Sequence, residues 1–290
     1  MRFSELKRQE QLNSGHLACP GCAASLSMRH ALKVLGGETV VVIPACCWSI
    51  ISGTYPTTAL SAPILHTPFE TAASSATGVR AALDMKGEFN TTVMAWAGDG
   101  GTFDIGLQAL SGSLERGDNI IYVCYDNEAY MNTGIQRSSA TPAGAWTTTT
   151  PHGKPIENWK KDLFSIVIAH SPAYAATATI AYPDDFYKKF EKARSIKGAR
   201  FIHLLSSCPP GWKMAESDSI KSLRFAVESG IFPLLEWDGK THLTYTPEKL
   251  IPIAEYFEIQ GRYKRLDKER IEEIQRLVRA HFEKLKGTVA

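Results

Sequence analysis

Apolar residues along this chain come in short continuous runs. Val40 to Ile43, Val93 to Ala97, Ile120 to Tyr125, Tyr174 to Ala178 and Arg200 to Leu205 read as strands. Strands apolar on both faces belong in a parallel sheet covered by helices, whereas strict alternation marks a sheet with one wet face. Between the runs lie helical segments. Glu70 to Met85 is alanine-rich, with Gly78 expected to allow close packing, and Asp104 to Glu115 joins two of the strands as a βαβ unit. Pro183-Asp184-Asp185 opens a further helix, since proline suits the first helical position and acidic side chains the positive end of the helix dipole. The expected fold is α/β, a mostly parallel sheet with helices on both faces.

Pro233 to Thr246 predicts a small hairpin turning at Trp237-Asp238-Gly239-Lys240. Arg262 to Lys286 predicts a charged amphipathic helix with apolar residues at Ile271, Ile274, Leu277, Val278 and Phe282. One apolar stripe suits docking on the body of the protein or contact with another subunit, and the pattern alone does not choose. No element reads from Asn127 to Glu157, a segment threonine-rich from Thr141 to Thr150 and interrupted by Pro142, Pro151 and Pro155. A loop of that length in a compact domain is usually functional or covered by a partner. There is no internal repeat and no low-complexity linker.

Composition narrows the function classes. A chain of 290 residues buries a full core. With 32 basic and 30 acidic residues, the net charge of +2 gives no field that would draw nucleic acid or an anionic membrane. The first fifteen residues are polar and charged, unlike a secretory signal. The longest apolar stretch, Thr39 to Ile51, is broken by Pro44 and is too short to span a bilayer. A soluble cytoplasmic protein is expected, with neither nucleic acid nor membrane as partner.

The chemistry is carried by two loops that follow neighbouring strands. The first reads Gly98-Asp99-Gly100-Gly101-Thr102-Phe103-Asp104-Ile105-Gly106, and the second begins Tyr125-Asp126-Asn127-Glu128-Ala129-Tyr130. Magnesium takes octahedral oxygen ligands, typically one or two from protein plus substrate phosphate. Asp99 offers a charged oxygen, Asn127 a neutral one, and the carbonyl near Ala129 a third. Gly98, Gly100 and Gly101 let backbone come close to a diphosphate, and a helix expected from near Asp104 would aim its N-terminus at the anion. Gly-Asp-Gly alone recurs in turns of ordinary α/β sheets. Set between an apolar strand and a helix, with a second strand ending in Asp-Asn, it is the thiamine diphosphate pattern.

Six cysteines stand at 19, 22, 46, 47, 124 and 208. In a large α/β chain of this kind, metal or redox use is more common than disulfides. Cys19 and Cys22 share one tight turn, and Cys46, Cys47 and Cys208 lie on loops at strand ends. Cys124 falls inside an apolar strand and reads as a small buried hydrophobe. An iron–sulfur cubane needs four thiolates; spacing favours it, and leaves a four-thiolate zinc site open.

The run from Gly98 to Pro151 resembles the β subunit of 2-oxoacid:ferredoxin oxidoreductases, most of all the multi-subunit pyruvate:ferredoxin oxidoreductases (pyruvate synthases). The likeness continues through Gly15-His16-Leu17-Ala18-Cys19-Pro20-Gly21-Cys22 and Ser207-Cys208-Pro209-Pro210-Gly211-Trp212, and covers about residues 15 to 262. It implies a thiamine diphosphate-binding fold over 1–262, with an N-terminal cluster-binding segment, and a separate C-terminal helix at 263–290. It implies thiamine diphosphate, Mg2+ and a [4Fe-4S] cluster as cofactors. The cluster ligands would be Cys19 and Cys22, with Cys47 third and Cys208 fourth; Cys47 would also border the thiamine, and Cys46 falls where the family usually has glycine. Asn132 aligns with a family residue near the reacting carbon, its other reading being a turn asparagine held by Thr133-Gly134.

The resemblance also implies partners. The glutamate that activates the aminopyrimidine sits on a pyrimidine-binding domain carried by the α subunit, so this chain would be half of an active site. A γ subunit, a ferredoxin-like δ subunit, ferredoxin and coenzyme A complete the implied set. The implied reaction is oxidative decarboxylation of a 2-oxoacid, pyruvate first, to acyl-CoA and CO2, with electrons leaving singly through the cluster. Two departures stand near the expected pocket: Ala23-Ala24 replace the glycine and glutamate frequent in pyruvate enzymes, and Pro44-Ala45-Cys46-Cys47-Trp48 replaces a lighter stretch. Branched-chain, aryl (such as phenylglyoxylate) or oxalate substrates therefore stay open. So do a non-catalytic zinc-bound assembly subunit and a thiamine decarboxylase without iron–sulfur chemistry. His16, His66, His152, His170 and His203 show no pairing by spacing and read mainly as structural or surface residues.

Overall fold

The protein is described by a computed structural model covering residues 9–151 and 156–288; His152 and Pro155 lie outside the described residues, as does the start of the polar N-terminal segment. Eight strands among the described residues form one sheet: β1 (Thr39–Pro44), β2 (Ile64–Thr67), β3 (Thr92–Gly98), β4 (Ile121–Asp126), β5 (Tyr174–Ala178), β6 (Arg200–Leu205), β7 (Leu235–Trp237) and β8 (Thr241–Leu243). Their order is β2-β1-β3-β4-β6-β5-β7-β8. The first six in this order pair in parallel, and the β7–β8 hairpin adds an antiparallel edge beside β5.

Continuous apolar strands give this sheet two cores because successive side chains point to opposite faces. On one face, Met94, Trp96, Ile121, Val123 and Tyr125 are buried in a cluster with residues of α1 (Ala23–Leu35), α2 (Cys47–Ile51), α6 (Pro183–Ser195), α8 (Ser219–Glu228) and α9 (Ile253–Glu258). On the other face, Val93, Ala95, Ala97, Tyr122 and Cys124 meet α3 (Ala72–Met85), α4 (Leu107–Arg116) and α5 (Leu163–Ile168). Each large side chain buried in this way contributes roughly 1.5–3 kcal/mol relative to exposure. The remaining helices are α7 (Pro209–Trp212) and α10 (Lys268–Thr288). α6 opens on Pro183 with Asp184 and Asp185 in its first turn and closes with Lys192 and Arg194 in its last. On α10, Ile274, Val278 and Phe282 are buried while Leu277 is 43% exposed, so the predicted stripe docks along one side. No helix among the described residues is long and apolar enough to cross a membrane.

Two local expectations are corrected. The helix expected from Asp104 does not start there: Gly100–Ile105 form a π-turn, and α4 begins only at Leu107. The amide of Gly106 closes that turn on the carbonyl of Gly101 at 2.7 Å, and Asp104 leaves helical backbone (φ −108°, ψ −105°), which separates the two segments. At Gly78 an added Cβ would meet nothing within 4 Å, so its place in α3 is not one of close packing. Helices α1 and α8 and the edge strand β2 were not among the expected elements.

Candidate active site

Parallel strands deliver their following loops to one edge of the sheet, where α/β proteins bind ligands. Because β1, β3, β4 and β6 are neighbours in the sheet, the loops carrying Cys47, Asp99, Asn127 and Cys208 meet at that edge. A cavity of about 420 Å3 there is lined by Cys47, Gly98, Asp99, Gly100, Gly101, Asn127, Ala129 and Asn132. Sequence reasoning brought these residues together and put the Cys46 stretch near the pocket; it missed Ile50 and Phe69 and gave no role to Tyr125, Tyr130 and Met131, which also line it. A larger cavity of about 540 Å3 lies between α5, α10 and the sheet, with walls such as Phe164, Phe232 and Val278; of the two motif loops only Glu128 reaches it.

At the base of the smaller cavity Asp99 is buried, with 1% exposure. Ser138 Oγ donates to its Oδ2 at 2.5 Å, and the Asn127 amide donates to its Oδ1 at 3.4 Å. Burial, and then the nearby Asp126 carboxylate, push Asp99 well above the ordinary aspartate range. The side-chain amide of Asn127 places one atom 2.8 Å from Asp99 Oδ1 and 3.0 Å from the Ala129 carbonyl oxygen. With nitrogen in that position, Asn127 donates two hydrogen bonds. With oxygen there, three oxygens turn toward one another, the donor set a hard divalent cation asks for. A buried acid with a raised proton affinity, facing two neutral oxygens, fits magnesium chemically.

The turn that carries Asn127 is held from below by a buried network. Glu128 adopts φ 69°, a left-handed conformation costly for a side-chain-bearing residue. Its carboxylate accepts from Lys160 Nζ at 3.0 Å and from Arg262 Nη2 at 2.5 Å. Lys160 also pairs with Asp126, whose Oδ2 lies 2.7 Å from His203 Nε2. Burial raises the Asp126 proton affinity, but Lys160 and His203 beside it hold the group below its ordinary range. Of the histidines noted in the sequence, His203 therefore has a buried structural role. His170 Nε2 lies 2.8 Å from Ser111 Oγ, away from the cavity.

Glycine is required at position 100 by close approach. A Cβ there would lie 2.3 Å from Tyr130 Cε1, and the Tyr130 hydroxyl donates to Asp104 Oδ2 at 2.6 Å. No helix N-terminus sits where one was expected; the backbone of the π-turn lines the cavity instead. Asn132 lies exposed on the tip of a short antiparallel turn closed by Tyr130 and Gln136. Gly134 N donates to Met131 O in the same turn.

The six cysteines are free thiols from four regions of the chain. Cys22 N donates to Cys19 O at 3.1 Å, and this turn is tied to the loop after β6 by Ala23 N to Ser207 O and by Ser219 Oγ to Gly21 O. Burial, followed by Cys46, Cys208 and Cys22, pushes the Cys47 thiol up to about 12. Burial, opposed by the Gly211 amide and helped by Cys22 and Cys19, pushes Cys208 to about 12 as well. Among the described residues, no three His, Cys, Asp or Glu groups converge around the position of a single metal ion. Cys46 shares the cavity wall with Cys47, and Cys124 is fully buried in the core.

Comparison with known proteins agrees with this geometry. The C-terminal TPP-binding domain of thiamine pyrophosphate enzymes matches residues 46–204, which places the chain among thiamine diphosphate proteins. The ketoisovalerate oxidoreductase subunit VorB of Pyrococcus furiosus is 49% identical over 289 residues, covering 96% of this chain and 93% of the relative. The pyruvate synthase subunit PorB of Methanothermobacter marburgensis is 48% identical over 278 residues, covering 94% and 96%. A solved 2-oxoglutarate:ferredoxin oxidoreductase from Magnetococcus marinus, with 2-oxoglutarate, coenzyme A and succinyl-CoA bound, shares the fold at TM-score 0.61 and 21% identity, covering 93% of this chain and 97% of that one. The chain belongs to the β subunits of thiamine diphosphate-dependent 2-oxoacid:ferredoxin oxidoreductases, alongside PorB and VorB.

Proposed function

We propose that this chain holds the thiamine diphosphate, Mg2+ and a [4Fe-4S] cluster of a cytoplasmic complex that oxidatively decarboxylates a 2-oxoacid, pyruvate first, to acyl-CoA and CO2. The observation that carries the reading is the convergence of Asp99, Asn127 and the Ala129 carbonyl at one point of the cavity wall. Those oxygens would hold the metal, with Gly98, Gly100 and Gly101 admitting the diphosphate. Bound thiamine diphosphate supplies the carbanion chemistry. Asn132, exposed on the cavity wall, would orient the substrate. Cys19, Cys22, Cys47 and Cys208 would hold the cluster, with Cys47 on the wall shared with the cofactor cavity.

In this reading residues 1–262 form the cofactor-binding body and 263–290 a docked helix. The catalytic glutamate comes from an α subunit, and γ and δ subunits, ferredoxin and coenzyme A complete the system. A branched-chain substrate is the second reading, favoured by the 49% identity to VorB; Ile50 and Met131 give the cavity apolar wall that such a side chain could meet. Assay of the anaerobic complex with pyruvate and 2-ketoisovalerate side by side separates the two. Asp99→Ala tests the site itself: the complex should lose thiamine diphosphate on desalting in magnesium buffer, while Asn127→Ala loses less because water replaces a neutral ligand. Wild-type retention by Asp99→Ala overturns the assignment.

A further inference from the structure

Arg262 lies outside both motif loops and lines neither of them in sequence, yet its guanidinium is buried, with 3% exposure, behind the Asn127–Ala129 turn. Its Nη2 donates to Glu128 Oε2 at 2.5 Å, and its Nε donates to Gln260 Oε1 at 2.9 Å. The plane of the same group lies over the Trp212 ring, 4.1 Å from the centroid. Trp212 Nε1 in turn donates to the Asn127 carbonyl at 2.9 Å, and Trp212 N donates to Cys208 O at 2.7 Å. One side chain therefore grips the turn twice, through the Glu128 carboxylate and through the Asn127 carbonyl. The second grip runs through the helix that starts beside Cys208.

A buried ion pair such as Glu128–Arg262 gives little net stability over an apolar replacement of equal volume, and its best-attested use is to impose one arrangement. Here the arrangement imposed includes the left-handed Glu128 (φ 69°), flanked on each side by a proposed metal ligand. Lysine cannot reproduce it, because a point charge lacks the fixed spacing of Nε and Nη2 that reaches Gln260 and Glu128 together and lacks the plane for Trp212.

We propose that Arg262 is a positioning residue that fixes the Asn127–Ala129 metal turn relative to the Cys208 loop. The proposal rests on the magnesium reading given above. Its test uses the assembled complex, stripped of metal and cofactor with a chelator and titrated with Mg2+ at fixed thiamine diphosphate. Arg262→Lys and Trp212→Phe should each raise the apparent Mg2+ dissociation constant by about fivefold or more, the scale of one lost hydrogen bond. Trp212→Phe removes the indole N–H that donates to Asn127 together with part of the buried ring, so Glu128→Gln, which loosens the Arg262 grip at nearly constant side-chain shape, is titrated beside it and keeps the test decisive even if Arg262→Lys does not fold. A purely structural role would lower the melting temperature and leave the titration midpoint in place. Folded Trp212→Phe and Glu128→Gln complexes that titrate within about twofold of wild type, while Asp99→Ala loses binding, would overturn the proposal and spare the metal site. Wild-type binding by Asp99→Ala would instead remove the magnesium reading and this proposal with it.

Discussion

Cys46 and Cys47 are adjacent in sequence and differ in what they face. Cys46 caps α2, where its backbone N–H donates to Ser49 Oγ at 3.2 Å, and its Cβ lies against Gly98. Cys47 lines the cavity with its Sγ 3.9 Å from Asn127 Nδ2, and its backbone N–H donates to the Tyr125 hydroxyl at 3.1 Å. Metal or cluster binding takes thiolates, so loading this site releases protons and is opposed by acid. Cys47→Ser or Cys208→Ser should bleach the brown colour of anaerobic protein, whereas Cys46→Ser and Cys124→Ser should keep it. Zinc in stoichiometric amount without iron would rule the cluster out. The motif residues were legible because they stand next to one another in sequence and each has its own chemistry. Ser138, Tyr130 and Arg262 were not, since their roles come from distant parts of the chain: Ser138 meets Asp99 across 39 positions and Arg262 meets Glu128 across 134.

At the scale of elements, the π-turn over Gly100–Ile105 is where pattern reading and structure part. Apolar spacing could place a helix after the Gly-Asp-Gly loop, but could not register that Gly106 sits so close to the Gly101 carbonyl that a Cβ would lie 2.3 Å from it. That closeness makes the wide turn, and the turn sets the cavity wall. Gly100→Ala should destabilise the protein by about 1–3 kcal/mol through overpacking against Tyr130 and weaken cofactor retention. Adding Tyr130→Ala to the same chain should recover part of the melting temperature, as contacting residues are not additive. A Gly100→Ala protein with wild-type melting and binding would show that the Tyr130 ring moves freely. For the long segment after Asn127, length led to the expectation that it is functional or covered by a partner; among the described residues it has structural contacts, with Thr141 Oγ1 donating to the Glu128 carbonyl and Trp146 N to the Arg262 carbonyl, so it braces the Asn127–Ala129 turn.

For the whole molecule, the parallel sheet, its helices on both faces and the C-terminal hairpin were legible from continuous apolar runs and a turn signal. The edge strand β2 was not, because it is four residues long and half-exposed, with Leu65 at 41%. The cavity opens at the sheet edge, and among the described residues no glutamate lines its wall. The purified subunit, loaded with cofactor, metal and cluster, should therefore show no 2-oxoacid oxidation. Adding a partner with the pyrimidine-binding domain should restore decarboxylation, and turnover by this chain alone with an artificial electron acceptor would refute the shared site.

Each wall of the cavity is rooted in its own strand, and strands in a sheet are spaced by their hydrogen bonds at about 4.8 Å whatever the loops contain. The sheet therefore sets the coarse separation of the Asn127–Ala129 turn and the Cys208 loop, and contacts such as Arg262 to Glu128 and Trp212 to Asn127 hold the two within it. Positions such as Ile50, at the end of α2, and Asn132, on an exposed turn, can then vary in side chain while that separation stays constant, so the fold keeps the shape of the cavity mouth independent of the spacing beneath it.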